Sequence, residues 1–220
     1  GVSSMMDWSI LYHWADPNSV ASDKVLEGKS PFLNYKWYFL TIIGFGGVWY
    51  LVSRLLRSLS QEEDMHGTMD YKYHKRMQIY AAFLLIFGGF TSAAAVWLWI
   101  MSVDAHWYST LFAWYTCVSA LVTMIALTIL TLIYLKSKGY YSHVTKEHLH
   151  DLGKYLFAFS IFWAYMWFSQ YMLIWYANVG EETIYYRHRL DNYRVLFFGN
   201  LLINFALPFL VLLRNDTKRK

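Results

Sequence analysis

Charge is scarce in this 220-residue chain: Asp, Glu, Lys and Arg together make up 15% of it, against 57% hydrophobic and 20% aromatic residues. A soluble globular domain of this length carries about 25% charged residues, so water is excluded as the main solvent. Cysteine is nearly absent. Cys117 stands alone, which excludes an intrachain disulfide and any iron–sulfur ligation set, and it reads as a small packing residue. The eight histidines, His13, His66, His74, His106, His143, His148, His150 and His188, all fall in tails or connections. A haem held inside a helical bundle needs axial ligands projecting into it, so an intramembrane cytochrome is disfavoured. Neither a phosphate-cradling glycine loop nor a nucleophile arrangement occurs.

What the sequence does have is long apolar runs. Five of them, at residues 37–56, 79–103, 107–135, 155–177 and 195–213, are separated by polar stretches. Each matches the ~20 residues that carry an α-helix across ~30 Å of hydrocarbon. Lipid offers the backbone no hydrogen-bonding partner, so each run must satisfy its own amides, as a helix does. The expected fold is an all-α integral membrane protein with five transmembrane helices over residues 32–220, preceded by a polar extramembrane tail over residues 1–31. In that tail, Trp8, Ile10, Leu11, Tyr12 and Trp14 suit a lipid–water interface.

The net charge of +4 reports topology more than a partner, and no nucleic acid is expected. Arg54, Arg57, Lys72, Lys75 and Arg76 crowd the first connection, Lys136, Lys138, Lys146 and Lys154 the third, and Arg214, Lys218, Arg219 and Lys220 the C-terminal tail. These thirteen oppose six on the other side: Lys24, Lys29, Lys36, Arg187, Arg189 and Arg194. The positive-inside rule then predicts that the first and third connections and the C-terminal tail are cytoplasmic.

Several polar residues inside the runs stand out. Gly44, Gly47, Gly88, Ser92 and Ala95 form flat surfaces suited to helix association. Thr116, Ser119 and Thr123 share one stripe of the third span, where hydroxyls bond either the preceding turn or a neighbouring helix. In the fifth span Asn200, Asn204 and Pro208 recur every four residues. Pro208 cannot donate to the Asn204 carbonyl, which predicts a kink and a polar seam, read either as glue between helices or as part of a hydrated path or ligand pocket. The fourth span surrounds one amide, Gln170, with aromatic residues, of which Trp163, Tyr165 and Trp167 lie deep enough to require a crowded protein environment or a flat ligand.

Outside the spans, Glu147 with His150 and His148 with Asp151 have helical i, i+3 spacing compatible with a metal, but no span supplies further carboxylates, and a polar helix start is the favoured reading. Titratable groups gather on the expected outer side, Asp104 and His106 in the second connection and Glu181 and Glu182 after the fourth span, either as solvated surface charge or as a proton exit or partner contact. Ion pumps usually place carboxylates or bases within the membrane, and the apolar cores here hold none.

Some stretches are more specific than composition. Residues 104–112 (DAHWYSTLF), residues 150–154 (HDLGK) leading to residues 168–178 (FSQYMLIWYAN), and residues 181–183 (EET) closely resemble the polysulfide-reductase-like (NrfD-like) membrane subunits of bacterial alternative complex III, a respiratory quinol:electron-acceptor oxidoreductase. His13-Trp14, Asp16-Pro17 and residues 32–34 (FLN) are more similar to the F type of these subunits than to the C type. Members of the family are longer and have more spans, so the resemblance implies an internal portion of a larger bundle. It also implies a non-catalytic subunit of the bacterial cytoplasmic membrane, with no cofactor of its own. Expected partners are lipid, the related C subunit, and iron–sulfur and multihaem cytochrome c subunits carrying the clusters and haem c. A role in proton movement would have to run through Asp104, His106, Thr116, Ser119, Thr123, Tyr165, Gln170, Glu181, Glu182, Asn200 and Asn204, with bound water. Half of a secondary transporter and a pure assembly scaffold are the alternatives.

Overall fold

A computed structural model describes residues 11–66 and 71–213. Trp8 and Ile10, and the basic Arg214, Lys218, Arg219 and Lys220, lie outside the described residues. Among the described residues there is no strand, and five helical segments are long and apolar enough to cross a membrane. The protein is a multi-pass, all-α membrane protein. Its chain groups into two compact units, Gly1–Tyr108 and Ser109–Lys220.

In the first unit, a short 3-10 turn (His13–Ala15) and the small helices α1 (Pro17–Ser22) and α2 (Lys24–Lys29) precede the spans α3 (Tyr35–His66) and α4 (Lys72–Ala95). Asp16 caps α1 by accepting from the Asn18 and Ser19 backbone N–H groups, and Asp23 caps α2 by accepting from Val25 at 2.8 Å. Residues 12–29 thus form a turn and two short capped helices ahead of the spans. Tyr12 and Trp14 are buried at 4% and 6% exposure in an apolar cluster with Leu26, Leu33, Leu98 and Ala105, so protein and not the lipid interface receives them, while Leu11 stays exposed. The Tyr12 hydroxyl donates to the Trp99 carbonyl at 2.8 Å, and burial pushes its pKa above the ordinary tyrosine value.

The first span (α3) and the second span (Lys72–Val103) pair through two reciprocal contacts. Trp49 Nε1 donates to Thr91 Oγ1 at 2.9 Å, and Trp99 Nε1 donates to Thr41 Oγ1 at 3.2 Å. Each threonine hydroxyl then donates to a carbonyl of its own helix, Thr91 to Phe87 and Thr41 to Tyr38, so no polar atom of either pair is left bare in an apolar seam. Ala93 and Ala95 are buried on this part of the second span. The expected glycine surfaces are open: a methyl group added to Gly44, Gly47 or Gly88 would meet no atom within 4 Å. Past Ala95 the second span continues as a π turn (Val96–Ile100), in which Met101 donates to Val96, and a 3-10 turn (Met101–Val103).

The second unit contains α5 (Thr110–Ser137), α6 (Lys146–Ala177), α7 (Gly180–Asn192), α8 (Arg194–Leu201) and α9 (Leu207–Leu212), with a π turn (Leu202–Ala206) joining the last two into the fifth span. α5 and α6 pack around Trp163, which is 0% exposed among Val118, Val122 and Tyr115. The face of α8 and the π turn that carries Leu201 and Phe205 packs on this cluster. Pro208 sits in the first turn of α9, and the kink expected from it takes the form of that π turn, where Leu207 donates to Leu202 instead of to a residue four back. Asn178, left-handed at φ 48°, ends α6, and α7 departs from it as a polar helix.

Candidate functional site

The polar residues of the second unit fall into two groups. At one end of α5, Ser109 caps the helix by accepting from the Phe112 backbone N–H at 3.3 Å and donates its own proton to Gln170 Oε1 at 3.0 Å. A serine just before an apolar run is a recognisable helix-start signal, yet nothing in the sequence spacing connects it with Gln170. Gln170 is 5% exposed, so this bond satisfies an amide that apolar surroundings would otherwise leave costly.

The second group is a directed line of donors. Asn204 Nδ2 donates to the Asn200 carbonyl at 3.1 Å and to the Asn200 side-chain oxygen. Asn200 Nδ2 in turn donates to the Tyr115 hydroxyl at 3.2 Å, which ties the fifth span to α5. The seam expected from the four-residue spacing is thus present, with Tyr115 as a terminus that sequence inspection did not single out. Asn204 also borders a groove of about 370 Å³ with Thr123, Leu156 and Pro208.

The remaining hydroxyls close on their own helix. Thr116 Oγ1 donates to the Phe112 carbonyl at 2.8 Å, and Thr123 Oγ1 to the Ser119 carbonyl at 2.9 Å. Ser119 is half-buried and Thr123 exposed. Tyr165 is 62% exposed and stacks on Phe162, so the structure does not bring it to Gln170 or to the asparagines. It lies two residues from the buried Trp163, about 200° round the helix.

The outer-side candidates lie in different units. In the first, Asp104 follows the last turn of the second span, its N–H donating to the Met101 carbonyl at 3.1 Å. His106 Nε2 meets Asp23 Oδ2 at 2.5 Å, and this contact is the main reason the Asp23 carboxyl is held below its ordinary range. Lys29 Nζ donates to the Ala105 carbonyl at 2.5 Å and lies 5.7 Å from the Tyr108 ring centroid. Asp23 and Lys29, both from the N-terminal segment, therefore hold the second connection in place. In the second unit, Glu181 and Glu182 occupy the first turn of α7, where the helix dipole favours negative charge. Further along α7, burial pushes the Tyr186 hydroxyl above the ordinary tyrosine range.

His148, considered above with Asp151, accepts from the Thr145 backbone N–H at 3.0 Å and so helps to start α6. Among the described residues no group of three His, Cys, Asp or Glu side chains comes together. Chemically, the arrangement fastens helices. An amide keeps both hydrogens at ordinary pH, so Asn200 and Asn204 orient neighbours without themselves carrying a proton, and water would have to carry it past them.

Fold and site together define a multi-pass helical membrane protein in which, among the described residues, hydroxyls, amides, phenols and indole N–H groups make the polar contacts within the spans. Comparison with protein-family models and with curated proteins gives no match for this chain.

Proposed function

We propose that this chain is a cofactor-free membrane subunit of a respiratory quinol:electron-acceptor oxidoreductase of the alternative complex III type, serving in the bacterial cytoplasmic membrane as scaffold for its partners. The observation that carries the reading is the Ser109–Gln170 hydrogen bond of 3.0 Å. It joins Ser109 to Gln170, one residue from each of the two longest stretches on which the family resemblance rests. The open faces at Gly44, Gly47 and Gly88 add support, since small residues in lipid serve helix association and no described residue covers these. In this reading the basic first and third connections face the cytoplasm.

The test is isolation of the tagged chain in mild detergent, with identification of the co-purifying polypeptides and visible and paramagnetic spectra of the preparation. Stoichiometric subunits bearing haem c and iron–sulfur centres are the expected result. A chain that purifies alone, or a respiratory complex that assembles and couples fully without it, would overturn the assignment.

The line from Asn204 through Asn200 to Tyr115 favours a second role, a hydrated proton half-channel in the same subunit. Replacing Gln170, Asn200 and Asn204 lowers the proton-to-electron ratio if the path runs there, and leaves it unchanged if the chain is scaffold alone.

A further inference from the structure

Where the apolar run of α6 ends and α7 begins, the two helices line an open-sided cavity of about 530 Å³. This lies within the ~300–1,000 Å³ typical of small-molecule sites. Its lining changes character from one helix to the next. Tyr171, Ile174 and Trp175 come from the last turns of a membrane-spanning helix, whereas Arg187 and Asp191 come from the polar helix that follows. Ile174 and Tyr186 form a closed floor at 5% and 7% exposure, with the Tyr171 and Tyr186 rings packed edge to face at 5.4 Å. The rim carries one charge of each sign: Arg187 Nε stands 3.8 Å from Asp191 Oδ2, and both side chains are largely exposed. At that distance the pair attracts without a hydrogen bond, so both groups keep their donors and acceptors for a third party.

An occupant must therefore be apolar at one end, span the boundary between hydrocarbon and water, and present an anion and a hydrogen-bonding cation side by side. We propose that the cavity binds a zwitterionic phospholipid with a primary ammonium, its phosphate on Arg187, its ammonium on Asp191 and its glycerol and upper acyl carbons against Ile174 and Trp175. A quaternary ammonium offers Asp191 no N–H donor, and an anionic headgroup is repelled by it, which is how the pair distinguishes among lipids.

The test is native mass spectrometry of the delipidated full chain in detergent, titrated with phosphatidylethanolamine, phosphatidylcholine and phosphatidylglycerol of matched acyl chains. The expected preference for phosphatidylethanolamine is about fivefold, the scale of one exposed ionic contact. Arg187→Gln weakens all three lipids, Arg187→Lys restores them, and Asp191→Asn abolishes the preference while leaving binding. Lys138→Gln, remote in sequence and absent from the cavity, leaves both binding and preference unchanged. Equal retention of the three lipids by the unmodified chain overturns the proposal, as does a loss in Lys138→Gln matching that in Asp191→Asn. Displacement of bound lipid by inorganic phosphate alone also overturns it, because the site would then be an anion patch.

Discussion

Trp49 and Thr91 share a hydroxyl that works in both directions: it accepts the indole N–H at 2.9 Å and donates to the Phe87 carbonyl at 2.7 Å. Thr41 repeats the arrangement with Trp99, so the helices of the first unit are pinned at two heights by the same device.

Thr91→Val removes the acceptor and strands an indole N–H in an apolar seam. The expected loss is about 1 kcal/mol, the scale measured for interhelical hydrogen bonds in membranes, with Thr91→Ser close to neutral. Thr41→Val behaves alike, and the double variant loses roughly the sum because the pairs share no residue. Equilibrium unfolding in mixed micelles measures each value.

Trp163 is 0% exposed, and its indole nitrogen has no hydrogen-bond partner among the described residues. Trp163→Ala opens a large void and is expected to cost about 3–5 kcal/mol. Trp163→Phe keeps most of the ring and discards the unpaired N–H, so its cost falls well below that of the alanine variant. Both are read from thermal unfolding of the purified chain. Equal losses in the two variants would contradict the packing described.

Asp23 links stability to acid. Its carboxyl titrates below the ordinary 3.8, chiefly because His106 binds it, so the folded state favours the ionised form. That contribution is fully present above pH 3.8 and is lost as pH falls through the lower, folded value. Asp23→Asn therefore flattens the acid limb of a melting-temperature profile. Asp16, lowered by Ser19 and Asn18, retains its own share of the limb in that variant.

The open glycine face separates folding from assembly. Among the described residues, the new Cβ of Gly47→Leu meets no atom beyond its own helix backbone within 4 Å, and the substitution leaves the isolated chain's unfolding within about 0.5 kcal/mol. If a neighbouring subunit uses that face, the same substitution lowers co-purification of partners. Unchanged recovery shows that lipid, not protein, covers it.

The number and position of the spans were legible because an apolar run of bilayer length has few other meanings, but their ends were not. The apolar pattern stops near Leu56, while α3 runs on to His66 through Ser58, Gln61, Glu62 and Glu63, since a helix does not end where lipid does. In the same way α6 starts at Lys146, ahead of the first apolar residues. The asparagine seam was readable because its partners lie four residues apart on one helix. Trp49 with Thr91, and Ser109 with Gln170, were not, because each pairing depends on the register of two helices. Trp163 and Tyr165 show a finer limit: two residues apart, only one faces inward, and aromatic content alone cannot choose. Gln170 stood out as the one amide within an aromatic span, but its bond to Ser109 emerged from the fold.

The π turns at Val96–Ile100 and Leu202–Ala206 each accommodate one residue more than an α-helical path would. Everything beyond such a turn is rotated by about 100° relative to an unbroken helix, so side chains downstream face new neighbours without any change in the residues themselves. A homologue lacking that one residue would show a single-position gap within a membrane span, and its Pro208 counterpart would point to a different side of the helix. Deleting one residue from 202–206 is thus tolerable to the backbone while re-aiming the end of the fifth span, a way for close relatives to diverge in their contacts while conserving their hydropathy.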